Sequence, residues 1–231
     1  MSLSSSGAAP LHVLVMAKAP VAGTVKTRLC PPCSPQEAAA VAEAALADTL
    51  EAVAGCGAEV KVVAIDGSPG RWMPAGLRVI AQRGASFAAR LANAWAETRP
   101  WTGGWGIQIG MDTPQVTAGE LDDLLEVLRD RDPNCPAVLG MARDGGWWVI
   151  GLPGTDPAAV FGGVPMSTPH TGRIQEERLR SLGLAVSRAA VRSDIDTFDD
   201  LLEVTAGLPW SRTAAAAGRV IGLGAGGMAW A

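Results

Sequence analysis

Short runs of β-branched and apolar residues alternate along the chain with longer segments in which apolar positions recur at helical spacing. That is the pattern of an α/β domain with a largely parallel sheet. His12 to Lys18 is apolar between its two ends, as a strand buried on both faces should be. A loop containing Gly and Pro follows, then a long Ala-rich helix. Its start is marked by Ser34 as N-cap, Pro35 at the first helical position and Glu37 three residues after the cap, and Gly55 stops it.

Glu59 to Ile65 and Leu77 to Ala81 read as the next two strands, separated by the turn-rich segment Asp66 to Gly76. A helix from about Phe87 to Thr98 follows, then a strand from Ile107 to Gly110 that runs straight into Met111-Asp112-Thr113-Pro114. Thr117 and Glu120 form a capping box for a helix to about Arg131. Ala137 to Ala142 and Trp147 to Leu152 are strands flanking Arg143-Asp144-Gly145-Gly146, which suits a hairpin or an abrupt reversal in a mixed sheet. Thr171 to Leu182 is a helix, Leu184 to Ala190 a late strand, and Thr197 caps a helix ending near Gly207. The expected architecture is a single-domain, Rossmann-like three-layer α/β sandwich with a mostly parallel mixed sheet over 11–211. It follows a flexible N-terminus (1–10) and precedes an Ala/Gly-rich tail (212–231). The tail is consistent with a loosely packed arm, a homodimer contact or disorder.

The 231 residues are 48% apolar and 18% charged, with a net charge of −4. A core of ordinary size therefore needs neither disulfides nor a structural metal. A mildly acidic chain without a Lys/Arg run carries no footprint for nucleic acid or an anionic membrane, and its apolar runs are too short to span one. The N-terminus lacks the basic and apolar regions of a secretory signal, so a cytoplasmic location is expected. The four cysteines are then reduced, and Cys30-Pro-Pro-Cys33 is read as a Pro-rich turn with incidental thiols rather than a redox or zinc motif.

Chemistry concentrates after strands. The loop after the first strand carries Lys18, Gly23, Lys26 and Arg28, which puts three cations and one permissive Gly where a polyphosphate could be cradled, without forming a P-loop or a G-x-G-x-x-G element. Asp112 sits at the carboxyl end of a strand, the edge where open α/β sheets bind ligands. With Asp194 and Asp196 it offers carboxylates for Mg²⁺ (or Mn²⁺), which commonly takes one or two acids plus substrate phosphates. Each of these acids also suits a cap or turn. Asp144, Gly145, Gly146 and Trp147 could close over a small substrate, and Gln82, Gly84, Ser167 and Thr168 could line the same cleft. His170 fits a loop or helix-start contact better than a catalytic base.

These pieces together resemble the nucleotide-diphospho-sugar transferase superfamily, the glycosyltransferase-A (GT-A) fold, and within it the bacterial branch known as DUF2064. The matching elements are AKAPVAGTVKTRL at 17–29, Gln82 and Gly84 leading to Arg90-Leu91, GMDTP at 110–114, DGGWWVIGL at 144–152, Ser167-Thr168 and DIDTFDDL at 194–201. A Lys-Thr-Arg-Leu element and a late Asp-x-Asp-Thr element are also similar to the phospholactate guanylyltransferases. The resemblance implies that Lys26 and Arg28 hold nucleotide phosphates, with Lys18, Gly23, Gln82 and Gly84 around the nucleotide. It implies that Asp112 with Asp194 or Asp196 holds the divalent metal, and that Lys26, Arg28 and Asp112 are catalytic. Met111 and Trp147-Trp148 depart from the branch's usual residues and bear on the acceptor pocket. The early Lys/Arg loop and the separated acids favour nucleotidylyl transfer from an NTP to a small phosphorylated acceptor. Glycosyl transfer from a nucleotide sugar is the alternative, and a non-catalytic nucleotide-binding protein the third reading.

Overall fold

The computed structural model describes residues 10–129, 132 and 134–226. Residues 1–9 of the expected flexible N-terminus, the expected helix end at Arg131 and the last five residues of the tail lie outside these. Seven strands form one sheet: β1 (His12–Lys18), β2 (Val60–Asp66), β3 (Arg78–Ala81), β4 (Trp105–Ile109), β5 (Ala137–Met141), β6 (Trp147–Pro153) and β7 (Val186–Arg188). Their order is β3-β2-β1-β4-β6-β5-β7. Strands β1 to β4 run parallel; β6 is antiparallel to both of its neighbours, and β7 is parallel to β5. The segment 137–153 is thus a hairpin, one of the two options left open by its Asp-Gly-Gly turn.

Alternation along β1 explains why its apolar run is unbroken. Val13, Val15 and Ala17 face a layer formed by α1 (Pro35–Gly55) and α3 (Ala118–Arg129), supplied by Leu46, Leu50, Leu121 and Leu125. Leu14 and Met16 face the opposite layer, α2 (Phe87–Thr102), α4 (Pro157–Phe161) and α5 (Thr171–Ser181), supplied by Leu91, Trp95, Phe161 and Leu179. On this second face His12 is fully buried. Its Nδ1 lies 2.9 Å from Thr102 Oγ1, and its ring meets Trp95 edge-on at 4.6 Å. Burial drives its pKa down to about 3, so it is held neutral.

The helix starts follow the sequence signals. Ser34 accepts from the Glu37 backbone N–H while the Glu37 side chain returns to the Ser34 N–H. Thr197 and Asp200 form the same box at α6 (Phe198–Ala206). α2 runs four residues past its expected end: Pro100, inside its last turn, forgoes one main-chain N–H donor without ending the helix, which Gly103 at φ 68° terminates. α4, five residues long and capped by Asp156, is too short to show a period in sequence. The tail is helical in its described part: α7 (Arg212–Gly226) seats Ala216, Ala217 and Val220 against Val41 and Ala45 of α1. Its start is tied down by Asp48, which accepts from the Thr213 N–H at 2.9 Å and Oγ1 at 2.6 Å.

Both sheet edges are short. β3 has four residues, with the Arg78 guanidinium 4.7 Å above the Trp101 ring. β7 has three rather than the seven expected, and Arg188 there bonds the buried Glu176 of α5.

Candidate active site

The carboxyl ends of β1, β2 and β4 and the β5–β6 turn open into one cavity of about 550 Å³, within the usual range for a small-molecule site. It lies where the sheet changes from parallel to antiparallel pairing, between β4 and β6.

Lys18 enters the cavity from the end of β1, its Nζ donating to the Thr24 carbonyl at 2.9 Å and bracing the loop that follows. Asp66, opposite it in register at the end of β2, is paired with Arg90 of α2 at 3.0 Å. Gln82 lines the same wall, but both its amide N–H groups are used: they donate to the carbonyls of Ala17 (2.8 Å) and Ala64 (3.0 Å), pinning the ends of β1 and β2 together. Gly84 does not reach the cavity. It has φ 138°, and a Cβ there would meet Arg90 N at 2.8 Å, so its role is the close approach of this loop to the first turn of α2.

On the other side of β1 stand Asp112, Asp144 and Asp194. Asp112 Oδ2 accepts from Lys26 Nζ at 2.8 Å, and the same Nζ donates to the Ile195 carbonyl. Burial, and after it the Asp112 and Asp144 carboxylates, push the Asp194 pKa up to about 6, with Lys26 pulling the other way. The segment carrying Asp194 is stitched to the one carrying Asp112: Ile195 N–H donates to the Asp112 carbonyl at 3.3 Å, Gln115 to the Ser193 carbonyl, and Arg192 to Glu120 at 2.7 Å. Among the described residues no group of three or more His, Cys, Asp or Glu side chains is arranged to hold a metal ion. Two oxygen-donor carboxylates, Asp112 and Asp194, are nonetheless the donor number that Mg²⁺ ordinarily takes from protein, so the residues fit that ion.

The third wall comes from the hairpin and the start of α5. Asp144 Oδ1 accepts from the Gly146 N–H at 2.7 Å and shapes the turn. Gly145 points away from the cavity; it has φ 90°, and a Cβ there would run into the Pro169 carbonyl, while its own carbonyl accepts from Gly172 N–H at 2.8 Å. This backbone-on-backbone packing holds Ser167 and Thr168 at the cavity beside Trp147 and Met166. Trp147 stacks on Phe161, and its Nε1 is buried without a partner in the protein.

Of the residues singled out in sequence, the cavity therefore gathers Lys18, Gln82, Asp112, Asp144, Gly146, Trp147, Ser167, Thr168 and Asp194. Lys26 sits behind Asp112 with its ammonium in the protein. Arg28 is exposed and pairs with Asp196 outside the cavity wall, and Gly23 also lies outside it. Asp66, Phe87, Gln108 and Thr171 line the cavity and were not singled out. Asp66 ends a strand, the same signal that marked Asp112.

Residues 37–168 match the model of DUF2064, a family described as an uncharacterized protein conserved in bacteria. The chain belongs to this family. It is 35% identical over 207 residues to the 3-phospho-D-glycerate guanylyltransferase of Phenylobacterium zucineum (strain HLK1), an alignment covering 82% of this chain and 88% of that one. The protein is a transferase. Two solved structures share its fold. One is a candidate nucleotide-diphospho-sugar transferase from Desulfovibrio desulfuricans G20, with TM-score 0.75, 23% identity, and 89% of this chain and 92% of that chain covered. The other is a cytidylyltransferase from Leptospira borgpetersenii serovar Hardjo-bovis (strain JB197), with TM-score 0.58, 14% identity and coverages of 89% and 90%. The expected GT-A type of architecture is thus the observed one. Among the described residues no helix is long and apolar enough to cross a membrane.

Proposed function

We propose that the protein transfers a guanylyl group from GTP to a small phosphorylated acceptor of the 3-phosphoglycerate kind. A phosphate oxygen of the acceptor attacks the α-phosphorus, the bond from that phosphorus to the bridging oxygen breaks, and pyrophosphate leaves with the electron pair. The observation that carries this reading is the division of the cavity. A cationic side, with Lys18, faces an acidic side, with Asp112 and Asp194, and a separate polar arm is built from Thr168 and Ser167 beside the Trp147 ring. The name of the Phenylobacterium relative supports the choice of guanine and of the acceptor class.

In this reading Lys18 draws the triphosphate toward the end of β1, and a site with fixed charges aligns donor and acceptor for in-line attack without solvent reorganisation. Asp112 and Asp194 would hold Mg²⁺, which when bound offsets charge on the phosphates and the leaving pyrophosphate. Lys26 fixes the Asp112 carboxylate from behind, while Ser167 and Thr168 supply donors to the acceptor and the Trp147 ring walls it in. In this reading transfer is direct, with no covalent enzyme intermediate.

The test is pyrophosphate release from GTP with Mg²⁺ and 3-phosphoglycerate. Acceptor-dependent release establishes the reading. Failure with GTP, combined with acceptor-dependent loss of the sugar from a nucleotide sugar, would replace it by glycosyl transfer.

A further inference from the structure

The cavity contains an acid that neither metal binding nor phosphate binding explains. Asp66 stands at the end of β2, across β1 from Asp112. With neighbouring strands just under 5 Å apart, the ends of β2 and β4 are separated by about 10 Å. An acid on the wall that carries Lys18 would repel a triphosphate unless it faced hydrogen-bond donors. Its neighbour Arg90 is already engaged by it at 3.0 Å, which fixes the carboxylate in place and removes that guanidinium as a free phosphate cation. Gln82 beside it has spent both N–H groups on main-chain carbonyls. This arm therefore presents an oriented acceptor. It also presents an aromatic ring: Phe87, one helical turn before Arg90 on α2, lines the cavity and is 47% exposed.

We infer that Asp66 reads the base of the nucleotide, its carboxylate accepting from N1–H and the 2-amino group of guanine while the base lies against Phe87. This assignment rests on the guanylyl-transfer reading above. A carboxylate offers about four lone-pair sites, so Asp66 can keep Arg90 on one oxygen and still take two donors from the base. Adenine presents no adjacent N–H pair on that edge. Xanthine replaces the 2-amino group by a carbonyl, which a carboxylate repels. The ribose spans the gap from the β2 arm to the α-phosphate beside Asp112. The arm beyond β4, with Trp147, Ser167 and Thr168, is left to the acceptor.

The experiment compares dissociation constants of GTP, ITP, XTP and ATP, with Mg²⁺, for the wild type, Asp66→Asn and Arg90→Gln. The wild type binds GTP ahead of ITP, and ATP and XTP weaker by roughly 10- to 100-fold, the discrimination a paired hydrogen-bond contact gives. Asp66→Asn, whose amide can donate to the C2 carbonyl of xanthine, inverts the preference to XTP over GTP. Arg90→Gln keeps GTP ahead of XTP. Asp66 is half-exposed, and an unchanged melting temperature in Asp66→Asn separates lost recognition from lost folding. Equal weakening of GTP, ITP and XTP in Asp66→Asn, or wild-type binding of ATP as tight as that of GTP, overturns the assignment while leaving nucleotidylyl transfer standing. A wild type that binds no triphosphate at all removes the guanylyl reading and the Asp66 assignment with it.

Discussion

Lys26 Nζ lies 2.8 Å from Asp112 Oδ2, joining the loop after β1 to the turn after β4 through an ion pair whose lysine side chain is only 11% exposed. The same ammonium reaches the Ile195 carbonyl, next to Asp194. One cation thus ties together the three segments that form the acidic side of the site.

Replacing Lys26 by Met should leave Asp112 among acids without its counter-charge. Removing one partner of a largely buried pair costs about 2–4 kcal/mol. The expected outcome is a matching drop in urea-unfolding free energy, partly restored by Mg²⁺, together with a fall in kcat/KM of about 100-fold or more. A GTP dissociation constant that stays within about twofold of wild type would assign Lys26 to Asp112 rather than to the phosphates.

Asp112→Asn should keep the fold, because Asn is isosteric and its amide oxygen can still accept from Lys26, at a lower stability because the largely buried ammonium loses its counter-charge. Far-UV circular dichroism is expected to be unchanged, while Mg²⁺-dependent pyrophosphate release falls by about 100-fold or more. Full activity in this variant would remove Asp112 from the site.

The neutral burial of His12 links stability to pH. Its folded pKa of about 3 lies below the value of 6.5 for the unfolded chain, so unfolding takes up a proton between these values. The contribution of His12 is intact above about pH 6.5 and is lost as pH falls toward 3, at up to about 1.4 kcal/mol per pH unit. Urea midpoints at pH 5 and pH 7.5 should therefore differ more in wild type than in His12→Gln, whose amide retains a partner for Thr102 without titrating.

Gly145→Ala forces a left-handed backbone on a residue with a Cβ and drives that Cβ at Pro169. A loss of about 2–3 kcal/mol is expected from strain alone. Because Ser167 and Thr168 hang on this contact, KM for the acceptor should rise more than KM for GTP.

How far the sequence carries depends on what each residue uses to act. Strand ends and caps are local, so β1, the Ser34 box and the position of Asp112 could be read directly. The reach of a long side chain is not local: Lys26 and Arg28 share a loop with Lys18, yet the left-handed turn at Lys26 (φ 47°) sends its ammonium under Asp112, and Arg28 meets Asp196 in solvent. Gly145 had the composition of a substrate loop, and its use is packing against a segment more than twenty residues away. Asp66 was hidden by lying at the start of a turn-rich stretch, although it ends a strand as Asp112 nearly does. The tail shows the same limit. Its small residues carry no strong signal alone and become a helix by fitting the Ala-rich face of α1.

The brevity of β3 and β7 bears on how copies of this chain can meet. An edge strand of three or four residues flanked by arginines offers too few unpaired backbone groups to recruit another strand. Lengthening of the sheet strand by strand is therefore disfavoured at both edges, which leaves helical and loop surfaces as the better places for one copy to meet another.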